Sequence, residues 1–221
     1  MLAMVLCAAL FDMDRTLIRK DSAALYTRYR RDIGEASLRD VAQVGWWAFQ
    51  YTLGVIDAPR VAKKALENFR GLDAKELAES CRAWFKDYVL EHVQPAGRET
   101  VERHRQQGDF LAIVTGATIY AAQPLADELG IETVLCSELD VDAEGRLTGA
   151  IIDPLCYGQG KVVRTLRVAE REGFTLADAA FYSDSITDVP LLEAVGTPVV
   201  VNPDRRLRRE AARRGWRVES W

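Results

Sequence analysis

Residues 4–17 of the chain read MVLCAALFDMDRTL, an apolar run that ends on two carboxylates, Asp12 and Asp14. The apolar residues do not alternate with polar ones, which is typical of a strand buried on both faces in a parallel sheet. Ligands of open α/β sheets bind beyond the carboxyl ends of the strands, where these two side chains are expected to lie. Two like charges there are costly unless a cation or hydrogen bonds offset their repulsion. The pair therefore predicts a functional site, with a solvated strand end as the alternative.

The segment after this strand is helical in pattern, and the rest of the chain alternates between strands and helices. Apolar residues at helical spacing predict four helices, over residues 22–31, 35–53, 58–69 and 73–92. Beyond residue 95, helices are predicted over 97–107, 120–129, 161–172 and 189–195, strands over 110–114, 132–136, 179–182 and 198–201, and a hairpin over 141–152. The alternation predicts a parallel sheet, with the helical block inserted as a lid after the first strand.

Composition narrows the class of protein. A chain of 221 residues suffices for one ample domain, or for one domain with a smaller insert. Its net charge of −4 argues against a general nucleic-acid binder. The four cysteines are scattered and form no metal-ligand pattern, so we expect reduced thiols in a cytoplasmic protein. The apolar N-terminus lacks a basic region and is too short to span a bilayer, so no stable membrane insertion is expected.

Two polar positions follow the predicted strand over residues 110–114. Thr115 comes directly after it, and Gly116 comes next. A hydroxyl and exposed N–H groups at a strand-to-helix turn suit a phosphoryl oxygen, and glycine lets the backbone approach closely. The same pair is also common in turns without a function.

A lysine and two aspartates follow later in the chain. Lys161 opens a predicted helix behind two glycines, and a fixed ammonium can neutralise a nucleophile and a phosphate. Asp184 and Asp188 lie in the run SDSITD after the predicted strand over residues 179–182. Carboxylate oxygens are ligands that Mg²⁺ requires. The alternatives are a solvated lysine and two helix-capping aspartates.

In this order, the four segments resemble the four motifs of the haloacid dehalogenase (HAD) superfamily, and they cover most of the chain. The motifs are hhhDxDx[TV][LV], a strand ending in Thr or Ser, a Lys at a helix start, and [GS]DxxxD. The Ser-Asp-Ser form of the last motif and the hairpin before the lysine are similar to the phosphoserine-phosphatase-like branch, subfamily IB. The resemblance implies a Rossmann-like α/β core of residues 1–17 and 95–221. An all-helical type-1 cap of residues 18–94 would be inserted after the first strand.

The resemblance also implies a reaction, the Mg²⁺-dependent hydrolysis of a phosphomonoester. Asp12 would attack phosphorus and form an aspartyl-phosphate. Asp14 would protonate the leaving alkoxide and then deprotonate the attacking water. The phosphoryl oxygens would be held by Thr115, Gly116 and Lys161.

The metal ligands that the resemblance implies lie in the first and last motifs. Mg²⁺ would be held by the Asp12 carboxylate, the Asp14 carbonyl and Asp184. Asp188 would hold a ligand or a water molecule from behind.

Two positions depart from the branch and bear on the substrate. Many members have Gly where Arg15 stands; this side chain could reach a substrate anion or point into solvent. Phosphoserine phosphatases have Glu where Asp21 stands, and use it to bind the substrate ammonium. Asp21 also lies at an ideal N-cap position before Ser22, and both interpretations are open.

We expect a small phosphorylated substrate, led by amines or amino alcohols of the phosphoserine or histidinol phosphate type. The aromatic residues at 46–51 and the basic segment 204–214 leave a lysophospholipid-type phosphate as one alternative. A HAD-fold protein that binds or regulates without turnover is another. The aromatic residues could form the cap core, line the cavity or make an interface, and a monomer or a homodimer is expected. His92 and His104 are assigned no catalytic role.

Overall fold

The protein is known from a computed structural model, which describes residues 7–35 and 69–221. The strands within these residues are β1 (Ala8–Phe11), β2 (Phe110–Thr118), β3 (Thr133–Ser137), β4 (Leu139–Val141), β5 (Leu147–Ile151), β6 (Ala179–Ser183), β7 (Thr197–Val201) and β8 (Arg217–Glu219). Six of them form one parallel sheet in the order β3-β2-β1-β6-β7-β8. Strands β4 and β5 form a separate antiparallel hairpin. The parallel α/β sheet expected from the sequence is confirmed.

Among the residues that the structure describes, three α-helices lie between β1 and β2 in the chain, and further helices separate the later strands of the sheet. The α-helices are α1 (Ser22–Asp32), α2 (Ala74–Trp84), α3 (Pro95–Gln107), α4 (Ile119–Leu129), α5 (Gln159–Glu172), α6 (Val189–Ala194) and α7 (Arg205–Arg214). Several ends carry the expected signals. Pro95 lies at the first position of α3, and Gly108 ends that helix in a left-handed conformation.

Strand β1 is buried on both faces of the sheet. Ala9 and Phe11 join a core cluster with α2, α3 and α4. Ala8 and Leu10 join a second cluster with α5, α6 and α7. Because both faces are covered by helices, neither set of alternate side chains meets water, which explains the unbroken apolar run.

The described residues between β1 and β2 are mainly helical. The predicted helix over residues 73–92 is α-helical only as far as Trp84, and it continues as a π-helical turn, Phe85–Val89, and a 3-10 turn, Leu90–His92. Trp84 is fully buried and meets the edge of Tyr26 with ring centroids 5.6 Å apart.

The rest of the helical block is not described. Apart from their outermost residues, the predicted helices over 35–53 and 58–69 lie outside the described residues, as do the aromatic residues at 46–51. The division into a core of residues 1–17 and 95–221 and a cap of residues 18–94 therefore stays a prediction.

The basic segment near the C-terminus forms helix α7. Asp204 caps it by accepting hydrogen bonds from two backbone N–H groups. Its apolar residues Leu207 and Ala211 are fully buried in the core, so this face is already covered by the protein. In the described part of the chain, every helix is too short or too polar to cross a bilayer.

Candidate active site

The site begins where β1 ends at the edge of the sheet. Asp12 follows Phe11 directly, and its backbone N–H donates to the Tyr182 carbonyl of β6 at 2.9 Å. Phe11 is in register with Ile113 of β2 on one side and with Tyr182 on the other. Because the three strands are parallel and adjacent, the residues after them meet at one edge.

Lys161 joins the first and last predicted motifs. Its Nζ donates to Asp12 Oδ1 and to Asp188 Oδ2, each at 2.7 Å. The Ser183 hydroxyl donates to the same Asp188 oxygen at 2.7 Å. All four side chains are buried. Burial lowers the pKa of Lys161, but the two carboxylates outweigh it and raise that pKa well above its ordinary value, so the ammonium stays charged.

Glycines place Lys161 in this position. Gly158 has a φ of 51°, a conformation that residues with side chains rarely adopt. A Cβ on Gly160 would lie 1.9 Å from the Leu155 carbonyl oxygen, so only glycine allows the start of α5 to approach that backbone. The chain thus brings the lysine close to Asp12 through one unusual backbone conformation, at Gly158, and one close backbone approach, at Gly160.

The carboxylates of the site hold protons more tightly than ordinary aspartates. Burial raises the pKa of Asp12 to about 6, with Lys161 acting in the opposite direction. Burial, reinforced by Asp12 and Asp188, raises the pKa of Asp184 to about 8. Since each of these groups lies in a poorly solvated cluster of like charges, an added cation would be favoured there.

Asp12 and Asp184 supply oxygen donors of the kind that Mg²⁺ prefers. Asp184 is almost completely buried, with 7% of its surface exposed. No group of three or more acidic, His or Cys side chains among the described residues is arranged to hold a metal. Mg²⁺ commonly takes one or two carboxylates and keeps several waters, so two carboxylates and the Asp14 carbonyl suit it.

Asp14 is bound by the first residue of α1. The Ser22 N–H donates to Asp14 Oδ1 at 2.7 Å, and the Ser22 hydroxyl donates to Oδ2 at 3.0 Å. Burial, together with the charges of Asp21 and Asp12, raises the pKa of Asp14 to about 7, while the bonds from Ser22 act in the opposite direction. A carboxyl with this pKa can both give and take a proton near neutral pH.

Asp21 caps the same helix. It has extended backbone geometry, and its side chain accepts from the Ala24 N–H at 3.0 Å. Asp21 is therefore the N-cap of α1. Its carboxylate also lies close enough to Asp14 to raise the pKa of the Asp14 carboxyl.

Thr115 and Gly116 lie within β2, which continues to Thr118 instead of ending at Val114. The pairing of β2 with β3 shifts register between Val114 and Thr118, and Gly116 is exposed directly after the four buried residues 112–115. The Thr115 hydroxyl is buried and accepts from the Ala117 N–H at 3.1 Å.

Arg15 adopts a strained backbone conformation beside the site. Its φ of 57° lies in the left-handed region, which is unusual for a residue with a long side chain. The side chain is exposed. Its guanidinium lies near enough to Asp184 to lower the pKa of that carboxyl, against the stronger effect of burial.

His104, which no motif in the sequence marks, contacts two residues of the strands that lead into the site. His104 Nδ1 lies 2.6 Å from Asp109 Oδ2, and its Nε2 lies 2.8 Å from the Tyr182 hydroxyl. The Tyr182 ring stacks on Phe11 with centroids 4.9 Å apart. His104 thus contacts Phe11 and Tyr182, which precede Asp12 and Ser183. A lone histidine within a helix carries no sequence signal of such a role.

The chain is similar to known proteins over most of its length. A family model described as haloacid dehalogenase-like hydrolase matches residues 9–193. A histidinol-phosphatase of Neisseria meningitidis serogroup C (strain 8013) is 31% identical over 215 residues, which cover 95% of this chain and 96% of that protein. A phosphoserine phosphatase of Mycobacterium tuberculosis is 30% identical over 218 residues, 97% of this chain and 70% of that protein. A solved structure of a protein with unknown function from Bordetella pertussis Tohama I has a TM-score of 0.86 and 31% identity, covering 97% of this chain and 98% of that one.

Proposed function

The chain belongs to the haloacid dehalogenase-like hydrolase family and is a phosphatase, and we propose that it hydrolyses a small phosphomonoester with Mg²⁺ through an aspartyl-phosphate on Asp12. The observation that carries this proposal is the contact between Lys161 Nζ and Asp12 Oδ1 at 2.7 Å, at the end of β1. An ionised carboxylate is needed as the nucleophile, and a fixed ammonium stabilises that form.

In the first step, the Asp12 carboxylate attacks phosphorus in line and the bond from phosphorus to the alcohol oxygen breaks. Asp14, whose pKa burial raises to about 7, gives its proton to the departing alkoxide. Thr115, Gly116 and Lys161 hold the phosphoryl oxygens and offset their charge.

In the second step, a water molecule attacks the phosphorus of the aspartyl-phosphate. Asp14, now a carboxylate, takes a proton from this water, and the bond from phosphorus to the Asp12 oxygen breaks. Inorganic phosphate leaves, and both aspartates return to their starting states.

Metal binding is part of the proposal. Asp12, the Asp14 carbonyl and Asp184 would hold Mg²⁺, which supplies positive charge beside the phosphoryl oxygens, and Asp188 would support the site from behind. The burial of Asp184 and the raised pKa of its carboxyl support this assignment.

The substrate we propose is a phosphorylated amine or amino alcohol of the histidinol phosphate or phosphoserine type. Two relatives that are at least 30% identical carry these activities in their names. Asp21 supports the choice, since its carboxylate lies near Asp14 and can bind an ammonium group. We further expect a cytoplasmic protein that is a monomer or a homodimer, and sedimentation analysis would test the oligomeric state.

The test is phosphate release from histidinol phosphate, phosphoserine, a sugar phosphate and a lysophosphatidic acid, each with Mg²⁺ and with EDTA. We expect turnover of an aminated substrate that stops with EDTA and in Asp12→Asn, together with hydroxylamine-sensitive phosphate on the wild type alone. Preference for the lysophosphatidic acid would favour a lipid substrate. No release from folded protein would contradict the proposal and favour a binding or regulatory role.

A further inference from the structure

The side chain of Asp14 is held by a residue outside the four motifs. Ser22 donates to both of its oxygens, through its N–H at 2.7 Å and its hydroxyl at 3.0 Å. Ser22 is only 4% exposed. Two donors on two different oxygens fix the plane of a carboxyl group, whereas a single donor would leave it free to rotate.

The Ser22 hydroxyl is not needed to cap helix α1. A serine at a helix start commonly caps the helix by accepting from a backbone N–H. Here Asp21 already fills the N-cap position and accepts from the Ala24 N–H at 3.0 Å. The hydroxyl of Ser22 is therefore free to donate to Asp14, which lies eight residues earlier in the chain.

We propose that Ser22 is a positioning residue of the phosphatase reaction, which aims the Asp14 carboxyl at the leaving-group oxygen. This inference rests on the proposed role of Asp14 as the general acid and base. Since Ser22 is the first residue of α1, the same contact makes the aim of Asp14 depend on where this helix sits.

A positioning role predicts a dependence on the leaving group. An alkoxide is strongly basic and leaves only with a proton from the general acid, whereas a nitrophenolate leaves without one. Loss of the Ser22 hydroxyl should therefore slow the hydrolysis of an alkyl phosphate more than that of p-nitrophenyl phosphate. A defect in folding would lower both rates by the same factor.

The experiment measures kcat/KM of wild type and Ser22→Ala on the preferred alkyl phosphate and on p-nitrophenyl phosphate. The value of kcat/KM depends only on the steps up to the phosphorylation of Asp12. The later hydrolysis of the intermediate therefore does not affect it. We expect about a ten-fold loss or more on the alkyl phosphate, and a loss of less than about three-fold on the aryl phosphate.

Four further variants complete the design. Ser22→Thr keeps a hydroxyl and should recover most of the alkyl phosphatase activity. Thr27→Ala removes another hydroxyl of α1, one that donates to the Ala23 carbonyl at 2.7 Å, and should leave both rates unchanged. In an Asp14→Asn background, Ser22→Ala should cost nothing further, because it acts only through Asp14.

Equal losses on both substrates would overturn the inference, as would losses that add to that of Asp14→Asn. Either result in an active wild-type enzyme leaves the proposed function intact. A wild type that releases phosphate from neither substrate overturns the proposed function, and this inference with it.

Discussion

The Nζ atom of Lys161 lies 2.7 Å from Oδ1 of Asp12, and both side chains are almost completely buried. Water screens a pair of this kind poorly, so the two charges depend on one another. Asp188 shares the same ammonium at 2.7 Å. Lys161 is therefore the counter-charge of two carboxylates at once.

Replacing this lysine should destabilise the protein and stop the reaction. Lys161→Met leaves two buried carboxylates without their cation, and we expect a loss of about 3 kcal/mol in the free energy of unfolding at pH 7. The loss should shrink at pH 5, where the carboxylates of the variant take up protons. Urea titrations at both pH values measure it, and an unchanged midpoint at pH 7 would contradict the buried pairing.

Magnesium should stabilise the protein more at high pH than at low pH. Burial raises the pKa values of Asp12, Asp14 and Asp184 to about 6, 7 and 8. Unfolded aspartate titrates near pH 4, so between about pH 4 and pH 8 the native metal-free protein holds more protons than the unfolded chain. These groups therefore lower its stability as the pH rises through that window.

A bound cation removes this penalty, because it takes the place of the protons. Melting temperatures with Mg²⁺ and with EDTA at pH 6 and pH 8 test the prediction. The Mg²⁺-induced shift should be larger at pH 8, and Asp184→Asn should lose most of the difference. A shift that is the same at both pH values would show that proton release does not accompany binding.

Asp21 should discriminate between aminated and non-aminated substrates. Asn caps a helix about as well as Asp, so Asp21→Asn removes the charge and keeps α1 intact. We expect the KM for an aminated phosphate to rise about ten-fold or more, because one hydrogen bond to a charged group is lost. The KM for glycerol phosphate should stay unchanged. Steady-state kinetics on the two substrates measure this. Equal KM changes would leave Asp21 as a helix cap alone.

Gly160 should tolerate no side chain. In Gly160→Ala the new Cβ would lie 1.9 Å from the Leu155 carbonyl oxygen, so the start of α5 must move and take Lys161 with it. We expect a loss of about 1–3 kcal/mol in stability and a severe loss of activity. Gly116→Ala is the matched control for stability, since its Cβ would meet the Cys156 carbonyl oxygen at an ordinary 3.6 Å. Similar melting temperatures for the two variants would contradict the close approach.

The two histidines should differ in their effect on stability, and neither should take part in the chemistry. His104→Ala leaves the Asp109 carboxylate and the Tyr182 hydroxyl without their shared partner, which we expect to cost about 1–3 kcal/mol. His92 lies 3.8 Å from the exposed Glu91, and His92→Ala should change stability by less than about 0.5 kcal/mol. Chemical denaturation compares them. A kcat that falls in folded His92→Ala would contradict this for His92, and a loss of activity in His104→Ala without any loss of stability would contradict it for His104.

The architecture could be predicted because its signals are local. Unbroken apolar runs mark the buried strands. Strand β1 ends at Phe11, where the apolar run ends, and β6 ends one residue beyond the predicted strand over 179–182. The end of β2 could not be predicted from the sequence in the same way. Its extension to Thr118 depends on an irregular pairing with β3, which only the packed sheet determines.

The motifs indicated which residues meet, but not how they bind. No pattern in the sequence indicates that Lys161 contacts Asp188 as well as Asp12, because both contacts depend on tertiary packing. The same holds for Ser22, which read only as the residue after a helix cap. The His104 contacts with Asp109 and Tyr182 were equally hidden, since one partner lies in a loop and the other in a strand.

The order of strands in the sheet has a consequence for synthesis of the chain. Asp12 and Lys161 are 149 residues apart, and β1 takes its neighbours from β2 and β6 far downstream. A chain emerging from the ribosome exposes β1 long before either neighbour exists, and contacts at such separations form slowly. Strand β1 therefore lacks its second neighbour until β6 has been made. Catalytic competence is accordingly among the last properties that the folding chain acquires.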